Sequence, residues 1–183
     1  MQPTAVQKLT VLMLCEIFKK LEIKDSFDPD LISQAISSDE AWVLDWKYGI
    51  RDEGATNPPH VTAVVDTLDM YSFLRDSYES IGEAGRAEVE ESVPNARSKT
   101  SFHGYDGNNE FEYLSAARYL VDHLDRFQSM REVAKLNSHM PVVEMYARMF
   151  EVFEPIRVKL AARLMSPAEI VEVLRASIHP SNR

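Results

Sequence analysis

Apolar positions recur along this chain with the period of a helix, and no segment of useful length alternates with period two. Thr4 stands where a cap is needed, and a first helix is expected from there to about residue 21. Val6, Leu9, Met13, Ile17 and Leu21 form one stripe along it. Leu12, Leu14, Cys15 and Phe18 widen that stripe until the middle of the helix is apolar almost all round. Such a helix is buried on more than one side. Two readings fit: a central core helix, or a helix shared with a second subunit. Asp28-Pro29 supplies a cap and a first-turn proline for a short helix over Leu31, Ile32, Ala35 and Ile36. Ser38 or Asp39 can cap the next, which carries Trp42, Leu44, Trp46 and Tyr48 and stops at Gly49. Residues 49–60 are polar, with Gly54 and Pro58-Pro59, and read as a loop.

The clearest helix is expected over 61–81, where Val61, Val64, Val65, Leu68, Tyr71, Leu74, Tyr78 and Ile81 recur at spacings of three and four. Gly82 ends it. Residues 82–101 carry Gly85, Pro94 and four acids but almost no large apolar residue, so they read as a mobile acidic loop or a poorly packed hairpin. A second long helix is expected over 109–128, with Asn109 and Glu112 at capping-box spacing and Phe111, Leu114, Ala117, Leu120, Val121, Leu124 and Phe127 facing the core. A third follows Pro141, and Pro155 must kink or restart it. Ser166-Pro167-Ala168-Glu169 opens a last helix with Ile170, Val173 and Leu174. Residues 179–183 read as a frayed tail. The expectation is an all-α fold: a single compact multi-helix domain over residues 1–183, of about seven helices with long central ones, and a mobile acidic insertion at 82–101. Helix should reach about 60–65% of the chain, roughly double the usual share.

Composition narrows the class. The 183 residues are 45% apolar and 27% charged, with one Cys, which excludes collagen-like, disulfide-scaffold and wholly disordered chains. Cys15 in its apolar run reads as a buried small hydrophobe of a reducing compartment. The start lacks the basic region of a signal peptide, and the longest apolar run, residues 11–15, falls far short of the roughly 20 residues of a membrane span. The expected location is the cytoplasm, with no membrane partner. Lys and Arg number 20 against 29 Asp and Glu, a net charge of −9, and the basic residues are scattered. That balance argues against nucleic acid, which needs clustered cations to displace counterions.

The standard catalytic spacings are missing. No His follows another ligand by three or four positions, so no helical metal site is expected. Residues 106–110 briefly resemble a calcium loop, but Phe111 stands where glycine is required and Ala117 where the closing Glu belongs. A helix start explains those residues better. Phosphate cradles and nucleophile elbows have no motif either, and no cofactor is expected. Asp66, Asp69 and Asp76 share one sector of the long helix with Phe73 and read as a solvated face. Arg118, Asp122 and Arg126 step as a salt-bridge ladder. One loop stays open to two readings. Ser101-Phe102-His103-Gly104-Tyr105-Asp106 sets two aromatics and a titratable His against a helix N-terminus, where anions can bind. It is either a capped turn with aromatic plugs or a site.

That loop also carries a resemblance. Residues 102–110, Phe-His-Gly-Tyr-Asp-Gly-Asn-Asn-Glu, followed by Tyr113, are similar to the signature stretch of the YfbU family, a group of largely bacterial, uncharacterised all-helical proteins. Val6-Gln7-Lys8-Leu9, residues 65–71, residues 141–149 and residues 164–174 resemble the family in the same order. The resemblance implies a compact helical fold and self-association, and it brings no accepted catalytic residue. What it implies is a set of candidate ligand-binding positions: His103, Asp106, Asn108, Glu110, Tyr113, Glu144, Tyr146 and Arg148. Glu144 and Arg148 are also spaced as an ordinary helical ion pair. The first functional expectation is therefore a regulatory or protein-interaction module acting as a homo-oligomer through an apolar helical surface, with an unidentified protein partner. The alternative is a small-ligand binder or enzyme at residues 102–113, with His103 as acid–base and Asp106 or Glu110 orienting it.

Overall fold

The computed structural model describes residues 3–179 and 181; the rest of the expected frayed tail lies outside the described residues. It is 63% helical, and the described residues contain no strand, only an isolated bridge between Tyr105 and Asn137. The all-α class is thus what the structure shows. The helices described are α1 (Ala5–Lys20), α2 (Pro29–Ser37), α3 (Trp42–Tyr48), α4 (Pro59–Ser80), α5 (Gly82–Ser92), α6 (Ala96–Lys99), α7 (Phe111–Asp122), α8 (Val143–Lys159) and α9 (Pro167–Ala176), with a 3-10 turn at Gln128–Met130. The chain divides into two compact units, Met1–Pro58 and Pro59–Arg183. The division falls in the polar stretch that the sequence marks as a loop.

In the first unit the ends of α1 and α2 form where the local sequence places them. The Thr4 hydroxyl accepts from the Gln7 amide at 3.2 Å, and the Gln7 side chain accepts from the Thr4 amide at 2.8 Å. The Asp28 carboxylate accepts from the amides of Asp30 and Leu31. Gly49 closes α3 with a φ of +69°, a conformation that L side chains adopt only under strain. The start of α3 differs from expectation. No side chain caps it; Asp39 instead pairs with Lys8, and the Glu40 carboxylate accepts from the Trp42 indole. Helix α1 packs against α2 through the face that holds Cys15, its one buried residue. Its other face is bare. Val6 is 74% exposed, Leu9 57%, Met13 59%, Ile17 50% and Leu21 66%. The core-helix reading of α1 is therefore corrected: α2 covers one side, and the stripe lies opposite.

In the second unit α4 is the centre, with α5, α7, α8, α9 and the 3-10 turn packed on it. Val61, Val64, Leu68, Tyr71, Leu74 and Tyr78 are buried, as the period predicts. In the sector that reads as a solvated face, Asp76 is exposed, but Asp66, Asp69 and Phe73 are half-buried because α8 lies across them. Phe73 packs on Phe153 with ring centroids 5.7 Å apart, and Asp69 pairs with Arg157 at 3.0 Å. Burial pushes the Asp66 and Asp69 carboxyls up, and the Arg157 guanidinium opposes it.

Residues 82–101 also differ from the sequence reading. Gly82 ends α4 with a φ of +71°, but the chain at once re-enters a helix, α5, which packs on α9. Val89, Val93 and Ala96 are buried and anchor the segment. The Glu90 carboxylate accepts from the amides of Asn95 and Ala96 at 2.6 and 2.8 Å and so holds the start of α6. Helix α8 runs on through Pro155 without a break. Helix α7 stops at Asp122 and not near 128; Phe127 takes a φ of +49°, and Asp122 pairs with Arg131 at 3.2 Å and Lys135 at 3.6 Å.

Candidate functional site

The loop between α6 and α7 is built around a close backbone crossing. Gly104 has a φ of +85°, and a Cβ on it would stand 1.8 Å from the carbonyl oxygen of Leu136. Only glycine fits both conditions. The crossing joins residues 104–110 to residues 136–143. The Ser138 amide donates to the Tyr105 carbonyl at 3.1 Å, and the Gly107 amide donates to the Asn137 side-chain oxygen at 3.1 Å. That same oxygen accepts from the His139 amide at 2.8 Å, which closes an Asx turn. Asn137 was not among the sequence candidates, and the Asn-Ser-His turn was the only local signal for it.

Two carboxylates complete the junction. Asp106 is buried and accepts from the Asn108 amide at 3.0 Å and from the Asn109 side-chain amide. Those donors, Asn109 first, hold its carboxyl below the usual range. Glu110 is buried too. One of its oxygens accepts from the amides of Val142 and Val143 at 2.6 and 2.8 Å, and the other accepts from the Asp106 amide at 3.0 Å. Glu110 precedes α7 and caps α8, whose own first residue offers no side-chain cap. The expected Asn109–Glu112 capping box does not form, since the Asn109 amide is turned to Asp106. Phe111, expected in the core, is exposed at the first position of α7.

Beneath the junction sits an aromatic cluster. Phe102 contacts Tyr71, Tyr105 and Tyr146 with ring centroids 5.4 Å apart in each case, and Tyr113 lies 5.5 Å from Tyr105. The Tyr146 hydroxyl donates to the Gly104 carbonyl at 3.0 Å and the Tyr71 hydroxyl to the Met149 sulfur at 3.7 Å. Burial pushes the phenols of Tyr71, Tyr105 and Tyr146 up, far from any titration near neutral pH. Spacings near 5.5 Å with tilted planes are those of favourable ring pairs, worth about 0.5–1.5 kcal/mol each beyond area burial.

The structure thus brings Asp106, Glu110, Tyr113 and Tyr146 to one junction, with Asp106 and Glu110 bonded to backbone. It does not bring His103 to them. His103 is exposed, and its Nε2 lies 3.0 Å from the Ser98 carbonyl. Asn108 is exposed, and so is Glu144. Arg148 donates from Nη1 to the Glu144 carbonyl at 3.1 Å, and its Nε is buried with no hydrogen bond. A cavity of about 380 Å³ opens beside Phe102, lined by Tyr71, Arg75, Ser101, Gln128 and Arg131 and not by the carboxylates. The Arg75 guanidinium there is bonded to Asp76 and to Ser129. Among the described residues no group of three His, Cys, Asp or Glu could hold a metal ion. No helix among them is long and apolar enough to cross a membrane.

Comparison with known proteins adds a family and little beyond it. The YfbU domain family model matches residues 1–176. The UPF0304 protein MJECS11 of Methanocaldococcus jannaschii is 35% identical over 57 residues, which are 29% of this chain and 34% of that protein. The chain therefore spans about a third of the length of that curated relative. No solved structure matches.

Proposed function

We propose that this chain, which belongs to the YfbU family, is a helical protein-interaction module that acts as a homo-oligomer through the bare face of α1. The observation that carries the reading is that stripe of large apolar side chains, each at least half exposed along one side of a 16-residue helix. An exposed apolar patch beyond a few hundred Å² is uncommon on a monomer and marks an interaction site. The face carries almost no charge of its own. Lys8 and Lys19 turn away to Asp39 and Asp30, and Lys20 closes the stripe at the end of the helix. On a chain of net charge −9, a near-neutral apolar strip meets its like without repulsion. Cys15, the one thiol, fits a reducing compartment, and the cytoplasm is the proposed place of action.

The rival site at residues 102–113 gains no support from its geometry. Its carboxylates face backbone amides, and its one histidine points elsewhere. Sedimentation of the full chain at micromolar concentration tests the module reading. The expected result is a dimer or higher species that Met13→Glu converts to a folded monomer. A wild-type monomer would overturn the homo-oligomer, and an oligomer indifferent to Met13→Glu would move the contact off α1.

A further inference from the structure

Beside the stripe, α1 and the start of α2 enclose an apolar cavity of about 170 Å³, lined by Val11, Leu14, Cys15, Phe18, Phe27 and Ile32 among others. Its size is close to that of a cavity that takes up benzene, about 150 Å³. No polar side chain lines it. An apolar hollow open to water is a place where a side chain of similar volume would gain both burial and contact.

We propose that this cavity is a socket for one apolar side chain from α1 of a second copy, docked antiparallel so that each copy fills the socket of the other. The inference rests on the self-association proposed above and specifies how it is built. Three observations support a second copy as the occupant. Leu14 belongs to both features: it is half exposed at the edge of the bare face, and it lines the cavity. The hollow is therefore continuous with the stripe. The stripe with Leu14 and Phe27 offers on the order of 700 Å² of accessible surface, taking roughly 150–200 Å² for a fully exposed large side chain. Stable interfaces bury roughly 600–1,000 Å² on each partner, so a self-complementary contact of this face falls within that range. Charge sets the direction. The basic residues of the last turn of α1 are Lys19 and Lys20. A parallel pair would bring both lysine ends and both helix dipoles side by side, whereas an antiparallel pair separates the lysines and opposes the dipoles. The two-fold contact is then isologous, and one hollow per copy is filled by its mate. A membrane surface fits less well, because two of the three lysines of α1, Lys8 and Lys19, are held by Asp39 and Asp30 and the chain carries a net charge of −9.

Cys15 reports on the socket without any mutation, since it is the only thiol and lies in the lining. Full-length protein is reacted with iodoacetamide over a range of concentrations, alongside Met13→Glu and Val11→Phe, whose added ring fills the hollow. The proposal expects alkylation of the wild type to slow by about tenfold as the dimer forms, Met13→Glu to react at the dilute wild-type rate at all concentrations, and Val11→Phe to remain helical but sediment as a monomer. If the wild type is a dimer broken by Met13→Glu while Cys15 reacts at a constant rate, the socket is wrong and the α1 contact stands. If Val11→Phe stays dimeric, the socket is likewise wrong; if Val11→Phe fails to fold, the thiol rate decides. A monomeric wild type, or one that co-sediments with phosphatidylglycerol vesicles in place of dimerising, overturns both readings.

Discussion

Glu110 and Val142 lie 32 residues apart and meet at 2.6 Å, the carboxylate of one accepting the backbone amide of the other. With the Val143 and Asp106 amides, Glu110 answers three donors that would otherwise be buried without partners. Removal of the side chain leaves that desolvation uncompensated, at a cost of about 1–3 kcal/mol for a buried group. Glu110→Ala is expected to lower unfolding free energy by about 3 kcal/mol and to speed hydrogen exchange at the amides of Val142 and Val143. Glu110→Gln retains one accepting oxygen and should cost roughly half as much. Urea titration with amide exchange separates the two variants, and a Glu110→Ala change below about 1 kcal/mol would remove this role.

Gly104→Ala places a methyl group inside the Leu136 carbonyl and asks an L residue to hold a φ of +85°. Both penalties act in the folded state. The expected loss exceeds about 3 kcal/mol, more than a simple left-handed alanine would cost, because backbone and not a flexible side chain must move. Thermal unfolding of Gly104→Ala measures it.

His103 and Tyr146 should behave in opposite ways. Tyr146→Phe removes the buried hydroxyl that donates to the Gly104 carbonyl and should cost about 1–1.5 kcal/mol. His103→Ala touches an exposed ring and should stay within about 0.5 kcal/mol of the parent. A junction that is structural predicts this order; a His103 variant as damaging as Tyr146→Phe would contradict it.

The start of α9 gives a pH signature. Glu169 bonds Arg163 through both carboxylate oxygens, at 2.7 Å each, and answers the Ser166 amide and hydroxyl. The Arg163 guanidinium, followed in effect by the Ser166 donors, lowers its carboxyl from 4.5 to about 2. A depressed carboxyl stabilises the fold above the unfolded value, and that contribution is lost as pH falls from about 4.5 toward 2. Asp66 and Asp69 have the opposite sign: raised by burial, they weaken the fold when ionised, and protonation relieves them as pH falls. The difference between parent and Arg163→Ala isolates the Glu169 part. That difference should be largest near pH 6 and shrink through pH 4.5–2.5, read from urea midpoints. Ser166→Ala should cost about 1 kcal/mol at pH 6.

Helix ends that depend on neighbours three or four residues away were legible in the sequence. Thr4 with Gln7, Asp28 before Pro29 and Ser166 with Glu169 all cap as their spacing dictates. Ends that depend on distant groups were not. Asn109 and Glu112 have the spacing of a capping box, yet Asp106 claims Asn109 and the Glu110 side chain reaches α8. The segment 82–101 was misread because charge outnumbered its apolar residues. Val89, Val93 and Ala96 are spaced four and three apart, and all three are buried, with α5 packed on α9. Phe73 and Asp69 were misplaced for a related reason: a single helix shows one stripe clearly, and a second packing partner shows only when both helices are in place. At the candidate site the sequence found Asp106, Glu110 and Tyr146 as notable positions. Their work as caps and plugs became readable only with Leu136 and Asn137 brought across from the next loop.

The borrowed cap joins two distant parts of the chain. Because α8 carries no side-chain cap of its own, its first turn is completed by a residue that stands ahead of α7. The first turn of α8 is thereby coupled to the loop at 104–110, so a change that displaces Glu110 is felt at the start of a helix 32 residues further along the chain.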